Sequence, residues 1–88
     1  MLDYTFTNQF KKSLKLMEKR RYKMDSIYEV MAMIIWQESL PKRCREHGLS
    51  GDYEGFTECH VLNDVILVYI LDEEKVTFVN IGTHSDLF

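Results

Sequence analysis

The chain of 88 residues has the length of one small domain, and its 45% hydrophobic and 28% charged residues are typical of a globular protein. No apolar run approaches the roughly 18–20 residues of a membrane span, and the N-terminus lacks the basic start and apolar core of a secretion signal. Two cysteines, Cys44 and Cys59, are too few for a disulfide scaffold, so we expect one cytosolic domain over residues 1–88.

The net charge of −3 conceals two halves of opposite sign. Residues 1–45 contain ten Lys or Arg and five Asp or Glu, whereas residues 46–88 contain one Lys and nine acidic residues. A basic half of this kind indicates either a solvated helix face or a surface for a polyanion or an acidic partner. Charge alone favours the solvated face.

The first two predicted elements are a strand and a helix. Apolar and polar residues alternate over residues 2–6, which predicts a half-buried strand. Thr7 offers an N-cap, and a helix is predicted from Asn8 to Arg21. Its apolar face carries Phe10, Leu14 and Met17, and lysines occupy the opposite face.

A second helix follows, with Asp25 as the predicted N-cap. It contains the strongest helical periodicity in the chain, carried by Ile27, Val30, Met31, Ile34 and Ile35. Pro41 disfavours helical backbone at the preceding residue, so the helix should end near Glu38. Because few residues join the two helices, they should lie antiparallel.

The C-terminal half predicts a loop and three strands. Residues 47–55 are rich in glycine and other turn formers, and strands are predicted at 56–62, 65–71 and 76–80. Asn63-Asp64 should form a two-residue hairpin turn, residues 72–75 a second turn, and Gly82 should end the last strand. The predicted fold is α+β, in the order β-α-α-β-β-β, with a helical hairpin on one face of a small, mainly antiparallel twisted sheet.

Three histidines are the first candidates for chemistry, because imidazole is the side chain most easily tuned to move protons near pH 7. His47, His60 and His84 all lie outside the two predicted helices. Glu58 and His60 should share one face of a strand, where the carboxylate could orient the ring. The alternative is an exposed polar sheet face without chemistry.

A zinc site is the obvious rival for the same residues. Cys44-x-x-His47 has a metal-like spacing, but Cys59 and His60 are adjacent on a strand and point to opposite faces. We therefore expect no metal, and Cys59 as a small buried residue rather than a nucleophile. No glycine-rich phosphate loop or dinucleotide fingerprint is present, so no cofactor is expected.

The chain ends on residues 82–88, Gly-Thr-His-Ser-Asp-Leu-Phe. One interpretation is that Leu87 and Phe88 dock on the core. The other is that His84 belongs to a site in which Phe88 supplies a ring for base stacking.

Motifs distributed over essentially the whole chain share one resemblance. They are Tyr4–Lys12, Leu40-Pro41, Glu46–Gly51, Tyr53–Phe56, Glu58–Val61, Asp64–Tyr69 and Gly82–Phe88. Together they resemble the YafQ-like toxins of bacterial toxin–antitoxin systems, within the RelE/ParE superfamily. The closing motif and the spacing of the three histidines are the most specific parts.

The resemblance implies a bacterial cytoplasmic mRNA interferase. Members of the family are ribosome-dependent endoribonucleases that enter the A site and cut the translated mRNA, with neither metal nor cofactor. A ribbon-helix-helix antitoxin of the DinJ/RelB type neutralises them, and the complex represses its own operon. Operator DNA is then contacted only through the antitoxin.

The resemblance also implies six site residues by their match to the family motifs. They are His47, Glu58, His60, Asp64, His84 and Phe88. His60, oriented by Glu58, and His84 are the expected proton-transfer partners, and His47 is expected to contact phosphate. Asp64 either orients a histidine or is a plain turn residue.

Two departures from the family pattern concern cations. Thr57 and Asn80 stand where family members often have arginine. Arg43 and Arg45 are the expected replacements for these cations. A basic set on the helices is expected to contact ribosomal RNA: Lys11, Lys12, Lys15, Lys19, Arg20, Arg21 and Lys23. The missing arginines leave open an attenuated relative that acts through antitoxin binding and autoregulation. A gyrase poison of the ParE type is a third possibility, which the histidine set disfavours.

Overall fold

In a computed structural model that describes residues 1–88, helices pack on one face of a five-stranded sheet. The strands are β1 (Asp3–Phe6), β2 (His47–Gly48), β3 (Thr57–Leu62), β4 (Val65–Leu71) and β5 (Lys75–Gly82), and the helices are α1 (Asn8–Lys19), α2 (Met24–Ile35) and α3 (His84–Leu87). The order across the sheet is β1-β5-β4-β3-β2, and only the β1–β5 pair is parallel. The predicted α+β fold is confirmed, with β2 and α3 as additional short elements.

Helix α1 begins as predicted, because the Thr7 hydroxyl accepts a hydrogen bond from the Phe10 backbone N–H at 3.0 Å. It ends at Lys19 rather than Arg21, since Arg21 adopts a left-handed backbone with φ of 63°. The helix is therefore shorter at its C-terminus than the apolar periodicity suggests.

Helix α2 differs from its prediction at both ends. It begins at Met24, so Asp25 lies in its first turn and is not the cap. It ends at Ile35 instead of Glu38, because Gln37 takes a left-handed conformation with φ of 59°. The helix therefore ends before the residue that Pro41 restricts. None of the helices has the length and apolar character needed to cross a membrane.

The core lies between the helices and one face of the sheet. Phe10 and Met17 of α1 and Ile27 of α2 are almost fully buried against apolar residues of β4 and β5. Cys44 and Cys59 are also fully buried there, which confirms Cys59 as a core residue. Alternation along β3 puts Glu58 and His60 on the other sheet face, beside Val68 and Ile66 of β4.

The strand register brings the candidate residues to the same part of the sheet. Glu58 pairs with His47 on one side and with Val68 on the other, and Val68 pairs with Asn80. One row further on, His60 pairs with Ile66, and Ile66 pairs with Gly82, the residue that precedes the C-terminal Thr83. Adjacent strands are about 4.8 Å apart, so the end of β5 that leads to His84 lies two strands from His60.

The hairpin turn at Asn63-Asp64 forms as predicted. Strand β5 is longer than predicted: it begins at Lys75 and includes Gly82 as its last residue, where we expected the glycine to interrupt it. The loop predicted over 47–55 contains β2, which pairs with β3 and fixes the position of His47.

Candidate active site

His47 is held through both ring nitrogens. Its Nδ1 lies 2.8 Å from the Arg45 carbonyl oxygen and its Nε2 lies 2.9 Å from Glu58 Oε1. The carbonyl can only accept, so Nδ1 donates to it, and Nε2 faces the carboxylate. Both ring nitrogens thus have partners within the protein, which fixes the orientation of the ring.

Glu58 anchors this pair from the sheet. Its side chain is only 11% exposed, whereas that of His47 is 51% exposed. The second carboxylate oxygen, Oε2, is buried without a hydrogen-bond partner in the protein. The structure thus contradicts one detail of the sequence reasoning: Glu58 bonds His47 across the β2–β3 pair rather than orienting His60 on its own strand.

Arg45, and not Glu58, is the partner of His60. The Arg45 Nη2 atom lies 3.5 Å from Nδ1 and 3.4 Å from Nε2 of the His60 ring. Such similar distances to both nitrogens place the guanidinium against the imidazole ring, where it makes weak contacts. His60 consequently keeps at least one ring nitrogen available for another partner.

His60 opens into a cavity of about 500 Å³ between the β3–β4 turn and the loop after α2. The residues that matter for chemistry there are Arg43, Arg45, His60 and Asp64, with Tyr22 and Ser26 from the helical side. Two guanidinium groups in one concave site form a suitable environment for a phosphate. The structure therefore brings together four of the predicted site residues.

A buried hydrogen bond fixes the loop that carries Arg45 and His47. The hydroxyl of Tyr69, which is fully buried on β4, donates to Glu46 Oε2. Burial is the main cause that raises the pKa of this phenol, and the bond to Glu46 adds to it. The phenol therefore remains a donor at neutral pH and holds the loop to the central strand.

Both cysteines are buried as free thiols. Burial is the largest cause that raises the pKa of the Cys59 thiol to about 12, and the nearby Cys44 adds to it. A thiol of this kind is not a nucleophile at neutral pH. No three His, Cys, Asp or Glu side chains are arranged to hold a metal ion.

The C-terminal turn, residues 83–88, carries the other two predicted residues. Thr83 and Asp86 form a capping box at the start of α3, and the rings of His84 and Phe88 lie 5.3 Å apart. Tyr53 meets Phe88 edge to face at 5.8 Å. His84 therefore lies beside a small aromatic group, just after the end of β5.

The substituted positions supply no cation to the site. Asn80 Oδ1 accepts a hydrogen bond from the Ser13 hydroxyl of α1 at 2.7 Å, so its amide is engaged with that helix. Arg43 and Arg45 are the arginines that line the His60 cavity.

The basic set on the helices is exposed at all seven positions. Six of them are surface side chains with no ion-pair partner, but Arg20 differs because it forms a salt bridge to Asp86. Its charge is thus engaged within the protein.

Sequence reasoning missed three contacts of this region: the Arg45–His60 contact, the packing of Tyr53 on Phe88, and the Arg20–Asp86 salt bridge. The only sequence signal near these contacts is the spacing Thr83-x-x-Asp86, which has the form of a capping box and predicts the start of a short helix that carries Asp86. The other contacts join residues that are far apart in the sequence.

Comparisons with known proteins give matches over nearly the whole chain. The model of the YafQ family, described as a bacterial toxin of type II toxin–antitoxin systems, matches residues 2–88. The mRNA interferase toxin YafQ of Escherichia coli K12 is 33% identical over 87 residues, which cover 98% of this chain and 95% of the relative.

Solved structures show the same fold. The crystal structure of YafQ from E. coli BL21(DE3) superposes with a TM-score of 0.95 at 31% identity, covering 100% of this chain and 99% of that one. YafQ in the E. coli DinJ–YafQ toxin–antitoxin complex gives a TM-score of 0.91 at 33% identity, covering 99% and 97%.

Proposed function

The chain belongs to the YafQ family of bacterial toxins from type II toxin–antitoxin systems, and we propose that it is an mRNA interferase that cuts translated mRNA on the ribosome without a metal ion. The observation that carries the proposal is the convergence of Arg43, Arg45, His60 and Asp64 on one cavity. This arrangement offers two cations for a phosphate next to a histidine that can move a proton.

The proposed reaction uses the RNA's own 2′-OH as nucleophile. Its oxygen attacks the adjacent phosphorus, the bond to the 5′-oxygen breaks, and the products are a 2′,3′-cyclic phosphate and a 5′-OH end. One group takes the proton from the 2′-OH while another protonates the leaving 5′-oxygen. His60 and His84 are our candidates for these two proton transfers.

The other site residues support the charge that develops on phosphorus. Arg45 can turn from the His60 ring to a phosphoryl oxygen, and Arg43 lies in the same cavity. We also propose that His47 contacts the phosphate, which requires one of its ring nitrogens to leave the Arg45 carbonyl or the Glu58 carboxylate. Asp64 lines the same cavity and is our candidate for orienting a histidine there, and Phe88 offers a ring on which a base can stack.

The proposed contact with the ribosome is made by basic residues of the helical hairpin. Exposed Lys11, Lys12, Lys15 and Lys19 on α1, together with Arg21 and Lys23, offer a cationic surface to ribosomal RNA in a protein whose net charge is negative. This contribution should weaken as salt increases, since such contacts release counterions.

We also propose that a cognate antitoxin neutralises the protein. The DinJ–YafQ complex of E. coli supports a protein partner of this kind. The antitoxin is expected to be a ribbon-helix-helix protein that wraps the toxin and mediates any contact with operator DNA.

A second candidate is an attenuated toxin that acts mainly by antitoxin binding and operon autoregulation. The observation in its favour is that Thr57 and Asn80 provide no cation, and that Asn80 is bonded to Ser13. The two candidates differ in one measurable property, which is cleavage by the free protein.

The test is cleavage of a defined mRNA in a purified translation system, with cut sites mapped by primer extension. We expect ribosome-dependent cuts with 5′-OH ends from the wild type, and a loss of about 10²–10⁴-fold in His84→Ala. Ser85→Ala is the matched control on the same turn and should cut normally. Absence of cuts from a folded wild type that still binds its antitoxin would favour the attenuated toxin.

A further inference from the structure

A two-point salt bridge joins the end of α1 to the C-terminal turn. Arg20 Nη1 donates to Asp86 Oδ2 at 2.7 Å, and Nη2 donates to Oδ1 at 3.3 Å. The partners are 66 residues apart in the chain. A guanidinium that engages both oxygens of a carboxylate fixes direction as well as distance.

Asp86 is at the same time part of the turn's own framework. Its Oδ2 accepts the Thr83 backbone N–H at 2.9 Å, while the Thr83 hydroxyl accepts the Asp86 N–H at 3.2 Å. Hydrogen bonds from Arg20 and Thr83 lower the pKa of Asp86 to about 2. The carboxylate is therefore ionised throughout the neutral range.

Close packing at Gly82 adds to this arrangement. A Cβ atom at that position would lie 2.9 Å from the Asp86 Cβ and 3.0 Å from its Oδ2. The Asp86 side chain thus crosses directly over the end of β5 on its way to Arg20. Only a residue without a side chain fits beneath it.

The turn needs an external anchor because α3 has only four residues and none of them is buried. A helix of one turn is not stable by itself in water. His84 and Phe88 lie on either side of Asp86 in this turn, so their positions depend on what holds Asp86.

We propose that Arg20 is a positioning residue, which holds His84 and Phe88 in place through Asp86 instead of contacting RNA. The inference rests on the proposed function, because His84 is a candidate proton-transfer group of that reaction. The proposed role of Arg20 differs from that of its neighbour Lys19, which belongs to the same basic surface and has no ion-pair partner.

Three variants distinguish positioning from RNA attraction. Arg20→Gln and Lys19→Gln each remove one positive charge from the same helix end. Asp86→Asn removes a negative charge, yet keeps an acceptor for the Thr83 N–H. If the helix end only attracts RNA, both glutamine variants should be equally weak and Asp86→Asn should equal or exceed the wild type.

Positioning predicts a different order. Arg20→Gln and Asp86→Asn should each lower kcat about tenfold with little change in KM, because a displaced catalytic group loses rate more than binding. Lys19→Gln removes a charge from the surface proposed to contact the ribosome, so it should raise KM instead, without the tenfold fall in kcat. The double variant should be no worse than either single variant, and Arg20→Lys should recover part of the rate.

A second readout does not require activity. Heteronuclear ¹H–¹⁵N NOE values for residues 84–88 should fall in Arg20→Gln and Asp86→Asn and stay at the wild-type value in Lys19→Gln. Equal kcat values for Arg20→Gln and Lys19→Gln, or unchanged NOE values in Arg20→Gln, would overturn the proposal. If the wild type cuts no mRNA, the proposed function fails, and the NOE values alone decide whether Arg20 holds the turn.

Discussion

The two histidine-bearing regions of the site are held by different kinds of contact. His47 and His60 lie in strands β2 and β3 and are supported by buried groups, such as the 11% exposed Glu58 side chain and the buried Tyr69. His84 lies on a four-residue helix held by a solvent-exposed salt bridge and a capping box.

This difference teaches where the site is preorganised by the fold and where it depends on surface electrostatics. Buried hydrogen bonds are screened little by salt and are lost together with the fold. Exposed ion pairs are screened and can be lost while the rest of the domain stays folded. We therefore expect the contacts around His47 and His60 to be lost only when the whole domain unfolds. The C-terminal turn should loosen while the rest of the domain stays folded.

The largest expected effect comes from breaking the support of His47. Glu58→Ala removes the carboxylate that Nε2 of His47 contacts, so the ring loses one of the two contacts that orient it. We expect mRNA cleavage to fall about 100-fold, of the order seen when one donor of a preorganised site is removed. Single-turnover cleavage on programmed ribosomes measures it.

Glu58→Gln is the matched control, because it keeps an oxygen acceptor while removing the charge. It should lie between the wild type and Glu58→Ala. Cleavage at the wild-type rate in Glu58→Ala would show that the His47–Glu58 pair is only structural.

A smaller effect is expected at the loop anchor. Tyr69→Phe removes the hydroxyl that donates to Glu46 and keeps the ring in the core. The free energy of unfolding should fall by about 1.5–3 kcal/mol, the usual range for a hydrogen bond to a charged group. Urea denaturation followed by fluorescence of Trp36 measures the change, and Tyr28→Phe, at an exposed position on α2, should change nothing.

The smallest effect concerns pH and the C-terminal turn. Because the folded pKa of Asp86, about 2, is below its ordinary value near 4, the salt bridge and capping box contribute fully above that ordinary value. Their contribution is lost as pH falls from about 4 through 2. NMR spectra over this range should show residues 83–88 loosening in the wild type.

The same titration in Arg20→Gln should begin at higher pH, since the cation that lowers the Asp86 pKa is absent. An Asp86 titration midpoint that is identical in the two proteins would show that Arg20 does not hold the carboxylate in solution.

The sequence was sufficient for most of the fold because periodicity reports burial directly. The apolar run of β4 and the turn residues Asn63-Asp64 that separate it from β3 give both strands to within a residue. The predicted C-terminal ends of α1 and α2 were wrong. Arg21 and Gln37 adopt left-handed backbone conformations that end these helices, and no glycine or proline marks either position. Local sequence carries no signal for such endings.

The site was predictable only through its residue types and family motifs. Because β2 pairs with β3, Glu58 contacts His47 instead of His60. Strand β2 has only two residues, so no alternation of apolar and polar residues could predict it. The arrangement of Arg45 against His60 requires a left-handed Arg45 backbone, φ 46°, which nothing in its neighbours predicts. Arg20 looked like any other member of a basic helix face until the fold placed Asp86 beside it.

The central claim is that the protein cuts RNA by 2′-OH attack, with histidines from both regions. Its most direct test is single-turnover cleavage at a mapped site on programmed ribosomes, with the nucleotide 5′ to the cut carrying either ribose or 2′-deoxyribose. The account predicts a 2′,3′-cyclic phosphate and a 5′-OH end from the ribose mRNA and no cleavage of the deoxy mRNA. Cleavage of the deoxy mRNA at a similar rate would contradict it, because the attacking group would then come from water or from the protein.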